Sequence, residues 1–132
     1  MKSLIKVLFV VVLAFLTSCA SIAKFPVSNF VPAAEIIAKK TQDKNKNYVI
    51  EVIAKNLASA DRIEPSKKNY NVWIVTENNG TKNAGMLANK NAKKASLKTA
   101  TPFNVREIFI TAEEQGDYSY PMGIEIARTS FK

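Results

Sequence analysis

The sequence contains no histidine and only one cysteine, Cys19. Histidine is the commonest metal ligand and the commonest general base in proteins, so its absence argues against a metal site and against most acid–base catalysis. A lone cysteine cannot form a disulfide within the chain. The four glycines form no phosphate-binding loop, and no serine, threonine or lysine lies in a nucleophile motif. We therefore predict no catalytic residue, no cofactor and no metal, and a protein that is not an enzyme.

Long apolar runs are also scarce. The longest extends from Val7 to Leu16, and it follows Lys2 and Lys6. A membrane-spanning helix needs about 20 apolar residues. A secretory signal has a basic start, an apolar stretch of about 7–15 residues and a small-residue cleavage site. The pattern therefore predicts a signal peptide and an exported protein.

The residues that close this run are Leu16, Thr17, Ser18 and Cys19, and together they resemble the lipobox of bacterial lipoprotein precursors. The resemblance implies cleavage between Ser18 and Cys19 and attachment of a diacylglycerol, usually with a third acyl chain, to Cys19. Such chains hold a protein on a membrane almost permanently, at about 0.8 kcal/mol per buried methylene. Ser21 stands where aspartate is the usual inner-membrane retention signal, so the resemblance implies the outer membrane in a cell with two membranes.

The chain divides into three predicted parts. Residues 1–18 are the signal-peptide helix, residues 19–32 a lipidated tether and residues 33–132 one folded domain. Two prolines exclude a helix interior from the tether. Phe25 and Phe30 within it allow the tether to dock partly on the domain.

The domain alternates apolar and polar residues with a period of two, which indicates strands. Predicted strand segments are 33–39, 47–55, 70–77, 82–87, 95–99, 105–113 and 122–131. Segment 70–77 is apolar on both faces and is predicted to be central, and the last segment should turn Ile124 and Ile126 inward and Ala127 outward. We predict an all-β fold, an antiparallel, immunoglobulin-like β-sandwich of about seven strands. A helix over residues 84–101, which are rich in alanine, lysine and leucine, is the alternative.

The second half of the chain resembles a known family. The segments that carry the resemblance are Tyr70–Val75, Ala84–Leu87, Pro102–Phe103, Ile108–Glu113 and Tyr120–Gly123. In order and spacing they are similar to the extracytoplasmic C-terminal domain of anti-sigma-K factors and of related lipoproteins. The resemblance spans residues 70–126 and implies the fold, although Ala84 stands where leucine is usual. A lipid signal replaces the sigma-binding domain and membrane helix of those factors, which argues against the regulatory activity itself.

Two groups of residues are candidates for a binding site. Glu113, Glu114 and Asp117 follow a strand and offer oxygen ligands of the kind calcium needs, but their spacing matches no calcium loop. We favour a solvated turn that protects the strand end. Trp73 with Tyr70 is a candidate aromatic platform for sugars, and we favour core packing for both.

Acidic residues are few relative to basic ones, with 11 Asp and Glu against 19 Lys and Arg and a net charge of +8. The lysines stand in separate groups: Lys39, Lys40, Lys44 and Lys46; Lys67 and Lys68; Lys90, Lys93, Lys94 and Lys98. A converged anion site is one interpretation. We favour a solvated surface with weak, salt-sensitive attraction for anionic lipid or glycan.

Together these features predict a lipid-anchored module of the cell envelope that binds a partner or serves a structural role without catalysis. Its partners are expected to be the membrane, through the lipid on Cys19, and an envelope protein or glycan. Nucleic acid is excluded by the export signal. A sensory accessory of an anti-sigma-type envelope signalling system is the alternative function.

Overall fold

The computed structural model describes residues 20–78, 80–91 and 93–132. Over this part of the chain the fold is all-β, with two antiparallel sheets in a sandwich, as the period-two pattern predicts. The predicted signal peptide, with Ser18 and Cys19, lies outside the described residues. Where the structure is described, no helix is long and apolar enough to cross a membrane.

The described chain contains nine strands, whereas the sequence pattern predicts about seven. They are β1 (Ser21–Lys24), β2 (Glu35–Gln42), β3 (Tyr48–Lys55), β4 (Asn69–Thr76), β5 (Thr81–Met86), β6 (Ala88–Asn91), β7 (Lys94–Thr101), β8 (Val105–Glu113) and β9 (Ile124–Ser130). The five-stranded sheet has the order β1-β2-β3-β7-β6, and the four-stranded sheet has the order β5-β4-β8-β9. A single 3-10 turn, Ala60–Arg62, precedes β4.

The predicted hairpin of β2 and β3 forms one wall of the core. Ile36 and Ala38 on β2 and Ile50, Val52 and Ala54 on β3 are buried. These residues recur at every second position because successive side chains of a strand point to opposite faces. Burial of a large aliphatic side chain contributes about 1.5–3 kcal/mol, so this stripe holds the hairpin against the other sheet.

The strand β4 is central to the four-stranded sheet, as its two apolar faces predict, because it pairs with β5 on one side and β8 on the other. Tyr70, Val72 and Ile74 belong to the core between the sheets. Ile108 and Ile110 of β8 pack in the same core. The other face of β4 is buried too, and this second buried face positions the candidate site.

The described residues between 84 and 101 lie mostly in β5, β6 and β7 and none is helical, so the alternative helix is wrong. Gly85 has a φ of 127° and Leu87 N–H donates to the Tyr70 carbonyl at 2.9 Å, where the chain leaves the four-stranded sheet. It then enters the five-stranded sheet as β6, whose four residues are all exposed. Because β6 buries no side chain, no apolar alternation marks it in the sequence.

Most of the segment expected to be a tether belongs to the fold. Residues 21–24 form β1, which pairs with β2. Phe25 and Val31 are buried, and the Phe25 N–H donates to the Ile36 carbonyl at 3.0 Å. Docking of Phe25 is therefore confirmed, whereas Phe30 stays largely exposed. The tether predicted for residues 19–32 is therefore docked on the domain through β1 and Phe25, and β1 is the edge strand of the five-stranded sheet.

One expected orientation in β9 is also wrong. Ile126 is buried as predicted, but Ala127 is buried as well. The register between β8 and β9 shifts between Ile110 and Thr111. Such a bulge places one extra residue on one strand and reverses the alternation beyond it.

Candidate functional site

The four-stranded sheet has a second buried face, turned away from the sandwich core, which we call the outer face. Its buried residues are Asn71 and Trp73 on β4 and Phe109, Thr111 and Glu113 on β8. Asn71 lies opposite Thr111, and Trp73 lies opposite Phe109. Side chains on the outer face of a sandwich sheet are normally polar and exposed. Burial of these five requires a cover.

The cover is the connection between β8 and β9, residues 114–123, which we call the covering loop. Asn71 Nδ2 donates to the Gln115 carbonyl at 3.1 Å. From β5, Asn83 Nδ2 donates to the carbonyl oxygens of Gly116 at 2.8 Å and Tyr118 at 3.0 Å. Two asparagine side chains of the sheet thus satisfy three loop carbonyls and hold the first half of the loop in place.

Beneath the loop, three polar side chains form a directed chain of hydrogen bonds. Trp73 Nε1 donates to Thr111 Oγ1 at 2.7 Å, and Thr111 Oγ1 donates to Glu113 Oε2 at 2.5 Å. The direction follows because an indole N–H only donates, which leaves the threonine proton for the carboxylate. Met122 N–H donates to the same carboxylate oxygen at 3.3 Å. Glu113 therefore connects the sheet to the far end of the covering loop.

Two buried oxygens on this face have no hydrogen-bond partner in the described part of the structure: Asn71 Oδ1 and Glu113 Oε1. Glu113 is only 1% exposed, and glutamate is seldom fully buried. A Cβ on Gly123 would collide with the Ala112 carbonyl oxygen and come within 2.9 Å of Glu113 Oε1. Gly123 therefore lets the loop backbone pass directly over the carboxylate.

An aromatic and charged cluster continues the outer face towards β9. The rings of Trp73 and Phe109 stack with centroids 6.2 Å apart, and Arg128 Cζ lies 4.1 Å from the Phe109 centroid. Arg128 also pairs with Glu107 and Glu125. The hydrogen bond that Arg128 donates to Glu125 is the main cause of a raised pKa at Arg128. The guanidinium thus lies over the Phe109 ring.

The covering loop presents apolar and aromatic side chains to solvent. Tyr120 is 65% exposed and Met122 is 61% exposed. Together with Gln115, Asp117, Tyr118 and Ser119 they line a groove of about 400 Å³. Met86, on β5 beside Gly116, adds a further exposed thioether. This surface can make apolar and hydrogen-bonded contacts on a loop whose backbone is held from below.

A second cavity, of about 410 Å³, lies where the 3-10 turn meets β4, and it is lined by residues that include Ala58, Tyr70, Leu87 and Asn89. Tyr70 Oη donates to the Ala58 carbonyl at 2.6 Å. Burial, with a smaller contribution from Asp61, raises the pKa of Tyr70 to about 12. The phenol is therefore a structural donor that fastens the segment before the 3-10 turn.

The three acidic residues considered as calcium ligands do not come together. Glu113 is buried on the outer face, Glu114 Oε1 lies 3.6 Å from Lys67 Nζ at the surface, and Asp117 is exposed on the covering loop. The described residues hold no group of three potential ligands suited to a metal ion. The favoured interpretation of a solvated turn is right for Glu114 and Asp117 and wrong for Glu113.

Trp73 and Tyr70 do not form a shared platform. They are three residues apart on β4, so their side chains point to opposite faces of the sheet. Trp73 is fully buried and Tyr70 is 7% exposed. Burial is therefore confirmed for both, but Trp73 lies under the covering loop and outside the core between the sheets.

The candidate lysines also have different surroundings. Lys40 Nζ donates to Asn104 Oδ1 at 3.0 Å and to the Val105 carbonyl at 2.9 Å, and it lies 4.8 Å from the Phe131 ring centroid. Burial lowers the pKa of Lys40. Lys40 therefore joins the two sheets, whereas Lys44, Lys46, Lys90, Lys93 and Lys94 are exposed.

Sequence reasoning missed Asn71, Thr111, Tyr120 and Met122 as parts of a site. One signal was present: Asn71 and Thr111 are polar residues with large or apolar neighbours on both sides in the sequence. A polar residue at such a position is either solvent-facing or part of a buried network, and the pattern alone does not distinguish these. The distinction depends on the path of the covering loop.

Comparisons of the chain with protein-family models, with curated proteins and with solved structures find no match.

Proposed function

We propose that this protein is a lipid-anchored module of the cell envelope, held on the membrane through Cys19, that acts by binding a partner rather than by catalysis. The residues Leu16 to Cys19 support the anchor. The partner is an envelope protein or an envelope glycan, and the covering loop is the surface that contacts it.

The observation that carries this proposal is the contrast between the two sides of the covering loop. On the side that faces the sheet, Asn71 and Asn83 donate hydrogen bonds to loop carbonyls, and the loop N–H of Met122 donates to Glu113. Above, Tyr120 and Met122 are largely exposed. Aromatic side chains dominate binding energy at interfaces, and tyrosine loses little conformational entropy when it is immobilised. A preordered loop with exposed aromatic residues suits contact with a partner.

The anchor is tested by replacing Cys19 with alanine. The precursor should then remain uncleaved and should not incorporate a fatty-acid analogue, because the diacylglycerol is attached through that sulfur. Gel mobility and labelling measure this directly. Equal labelling of the wild-type and Cys19→Ala proteins, or a mature N-terminus at another residue, would refute the anchor.

The binding surface is tested in cells by photo-crosslinking from the covering loop. We expect a discrete crosslinked protein or glycan with wild type, and its loss in a Tyr120→Ser, Met122→Ser double variant. Val27→Ser is the matched control, since Val27 is 76% exposed and lies outside the covering loop. A crosslink that persists in the double variant, or that disappears equally in the control, contradicts the assignment of this surface.

A sensory accessory of an anti-sigma-type system is the second candidate. The observation in its favour is that the resembling segments all fall on the four-stranded sheet and its connections: β4, β5, β8, the covering loop and the turn 102–104. Under this proposal the double variant at Tyr120 and Met122 should change transcription driven by an envelope-stress sigma factor. Unchanged transcription in both that variant and a deletion strain argues for the first candidate.

A further inference from the structure

The strand registers bring three turns to the end of the sandwich at which the described chain begins. Ser21 of β1 lies opposite Lys40, so β1 starts near the turn 43–47 that follows β2. Tyr48 lies opposite Thr101, which places the turn 102–104 at the same end. We call this end of the molecule the anchor end.

Glu77 and Asn78, which follow β4, and Gly80, whose carbonyl accepts from the Thr76 N–H at 3.0 Å, lie at the anchor end as well. Thr76, the last residue of β4, lies opposite Val105. Glu77 N–H donates to the Asn104 carbonyl at 3.1 Å, and Asn104 Nδ2 donates to Glu77 Oε1 at 2.7 Å. Turns from both sheets therefore form one continuous surface here.

This surface is basic and carries one exposed aromatic ring. Lys44 and Lys46 are exposed in the turn 43–47. Lys82 Nζ lies 5.0 Å from the ring centroid of Phe103, which is 44% exposed. A surface that combines an exposed phenylalanine with exposed lysines has the composition that favours a membrane interface, where the ring enters the headgroup region and the ammonium groups meet anionic lipids.

The acidic groups of the anchor end are engaged in its own turns. Asp43 Oδ1 accepts hydrogen bonds from the N–H groups of Asn45 at 2.8 Å and Asn47 at 2.9 Å. Glu77 Oε1 accepts from Asn104 Nδ2. In the part of the chain that the structure describes, Lys44, Lys46 and Lys82 form no salt bridge. Their charges are available to an external anion.

The covering loop lies at the opposite end. Glu113, the last residue of β8, pairs with Asn69, the first residue of β4, and Lys93 lies at that end beside Asn56. The eight residues of β3, which join the two ends, span about 26 Å at roughly 3.3 Å per residue. That length exceeds the Debye length of about 8 Å at physiological salt, so the lysines at the two ends act independently.

We infer that the anchor end lies against the bilayer, with Lys44, Lys46 and Lys82 contacting anionic phospholipid headgroups and Phe103 entering the interface. This inference rests on the proposed lipid anchor, because only Ala20 separates Cys19 from β1. A strand hydrogen-bonded to its neighbour cannot swing freely as a tether does. The orientation directs the covering loop away from the membrane, towards its partner.

The test uses the full lipidated protein in vesicles of phosphatidylglycerol and phosphatidylethanolamine that carry a headgroup nitroxide quencher. Cys19 is the only cysteine in the sequence, so the acylated protein has no free thiol. A fluorophore attached to a single introduced cysteine therefore reports one position. Asn45→Cys reports the anchor end and Asn89→Cys the opposite half, both at exposed positions. We expect strong quenching at position 45 and little at position 89.

Charge variants separate specific contact from general attraction. A Lys44→Glu, Lys46→Glu variant should lose the quenching at position 45, and Phe103→Ser should reduce it. The matched control, Lys93→Glu with Lys94→Glu, makes the same charge change at the opposite end and should leave it unchanged. Native Trp73 emission in each variant confirms that it is folded.

Three results overturn the inference. Equal quenching at positions 45 and 89 in an acylated protein refutes the orientation and leaves the anchor intact. If the Lys44→Glu, Lys46→Glu variant and the Lys93→Glu, Lys94→Glu variant lose the quenching at position 45 equally, the attraction to the membrane is non-specific. Absence of acylation at Cys19 refutes the proposed anchor and the inference together.

Discussion

Trp73 donates its indole N–H to Thr111 Oγ1 at 2.7 Å across β4 and β8, on the face of the sheet that points away from the core. The single tryptophan therefore reports on the outer face and its covering loop. Its hydrogen-bond acceptor is itself a donor to Glu113. The consequences of this chain of contacts can be measured one residue at a time.

Thr111→Val should destabilise the protein by about 1–3 kcal/mol, because it keeps the shape of the side chain but leaves the buried Trp73 N–H without an acceptor. Urea unfolding followed by tryptophan emission measures the loss. Thr99→Val, at a half-buried position on β7, is the control and should change the free energy of unfolding much less. Equal effects of the two substitutions would show that the Trp73–Thr111 bond contributes little.

Glu113→Ala should also cost about 1–3 kcal/mol, since Thr111 Oγ1 and Met122 N–H both lose their acceptor. It should also release the covering loop, which limited proteolysis detects as new cleavage within residues 114–123. Glu113→Gln retains an acceptor oxygen, so we expect it to protect the loop better than alanine does. A protease-resistant loop in Glu113→Ala would contradict a role for the carboxylate in holding it.

Gly123→Ala should destabilise the fold by about 1–3 kcal/mol, because the added methyl group meets the Ala112 carbonyl oxygen, which belongs to the backbone and cannot move aside. Gly80→Ala is the matched control, since its Cβ would lie 3.4 Å from the nearest atom, Thr76 Oγ1. That change should be close to neutral. Thermal unfolding of the two variants compares them, and a neutral Gly123→Ala would mean that the loop has room to shift.

Stability should fall as the pH rises from about 10 to about 12. Burial raises the pKa of Tyr70 from 10.0 to about 12. In this window the unfolded state has released the phenol proton while the folded state keeps it, so the unfolded state binds fewer protons and its relative free energy falls. The free energy of unfolding falls by at most about 1.4 kcal/mol per pH unit in this window. Urea unfolding between pH 9 and about 12 measures the change in the free energy of unfolding, and Tyr70→Phe should remove this part of its pH dependence.

The strands of the core were readable from the sequence because their burial is one-sided and local. The alternation of Tyr48, Ile50, Val52 and Ala54 identifies β3 and its inward face without reference to any other segment. The central place of β4 followed likewise from its apolar residues on both faces. These properties depend on the two-residue period of the strand alone.

Contacts between distant segments were decided only in the tertiary structure. β6 forms through backbone hydrogen bonds to β7 and buries no side chain, so composition does not reveal it. The burial of Ala127 depends on a register shift opposite Ile110, a property of two strands together. Glu113 and Trp73 are buried because the covering loop folds back over β4, held by Asn71 of β4 and Asn83 of β5. Alternation identifies two faces of a strand, but which of them meets the second sheet and which meets a loop depends on how the whole chain packs.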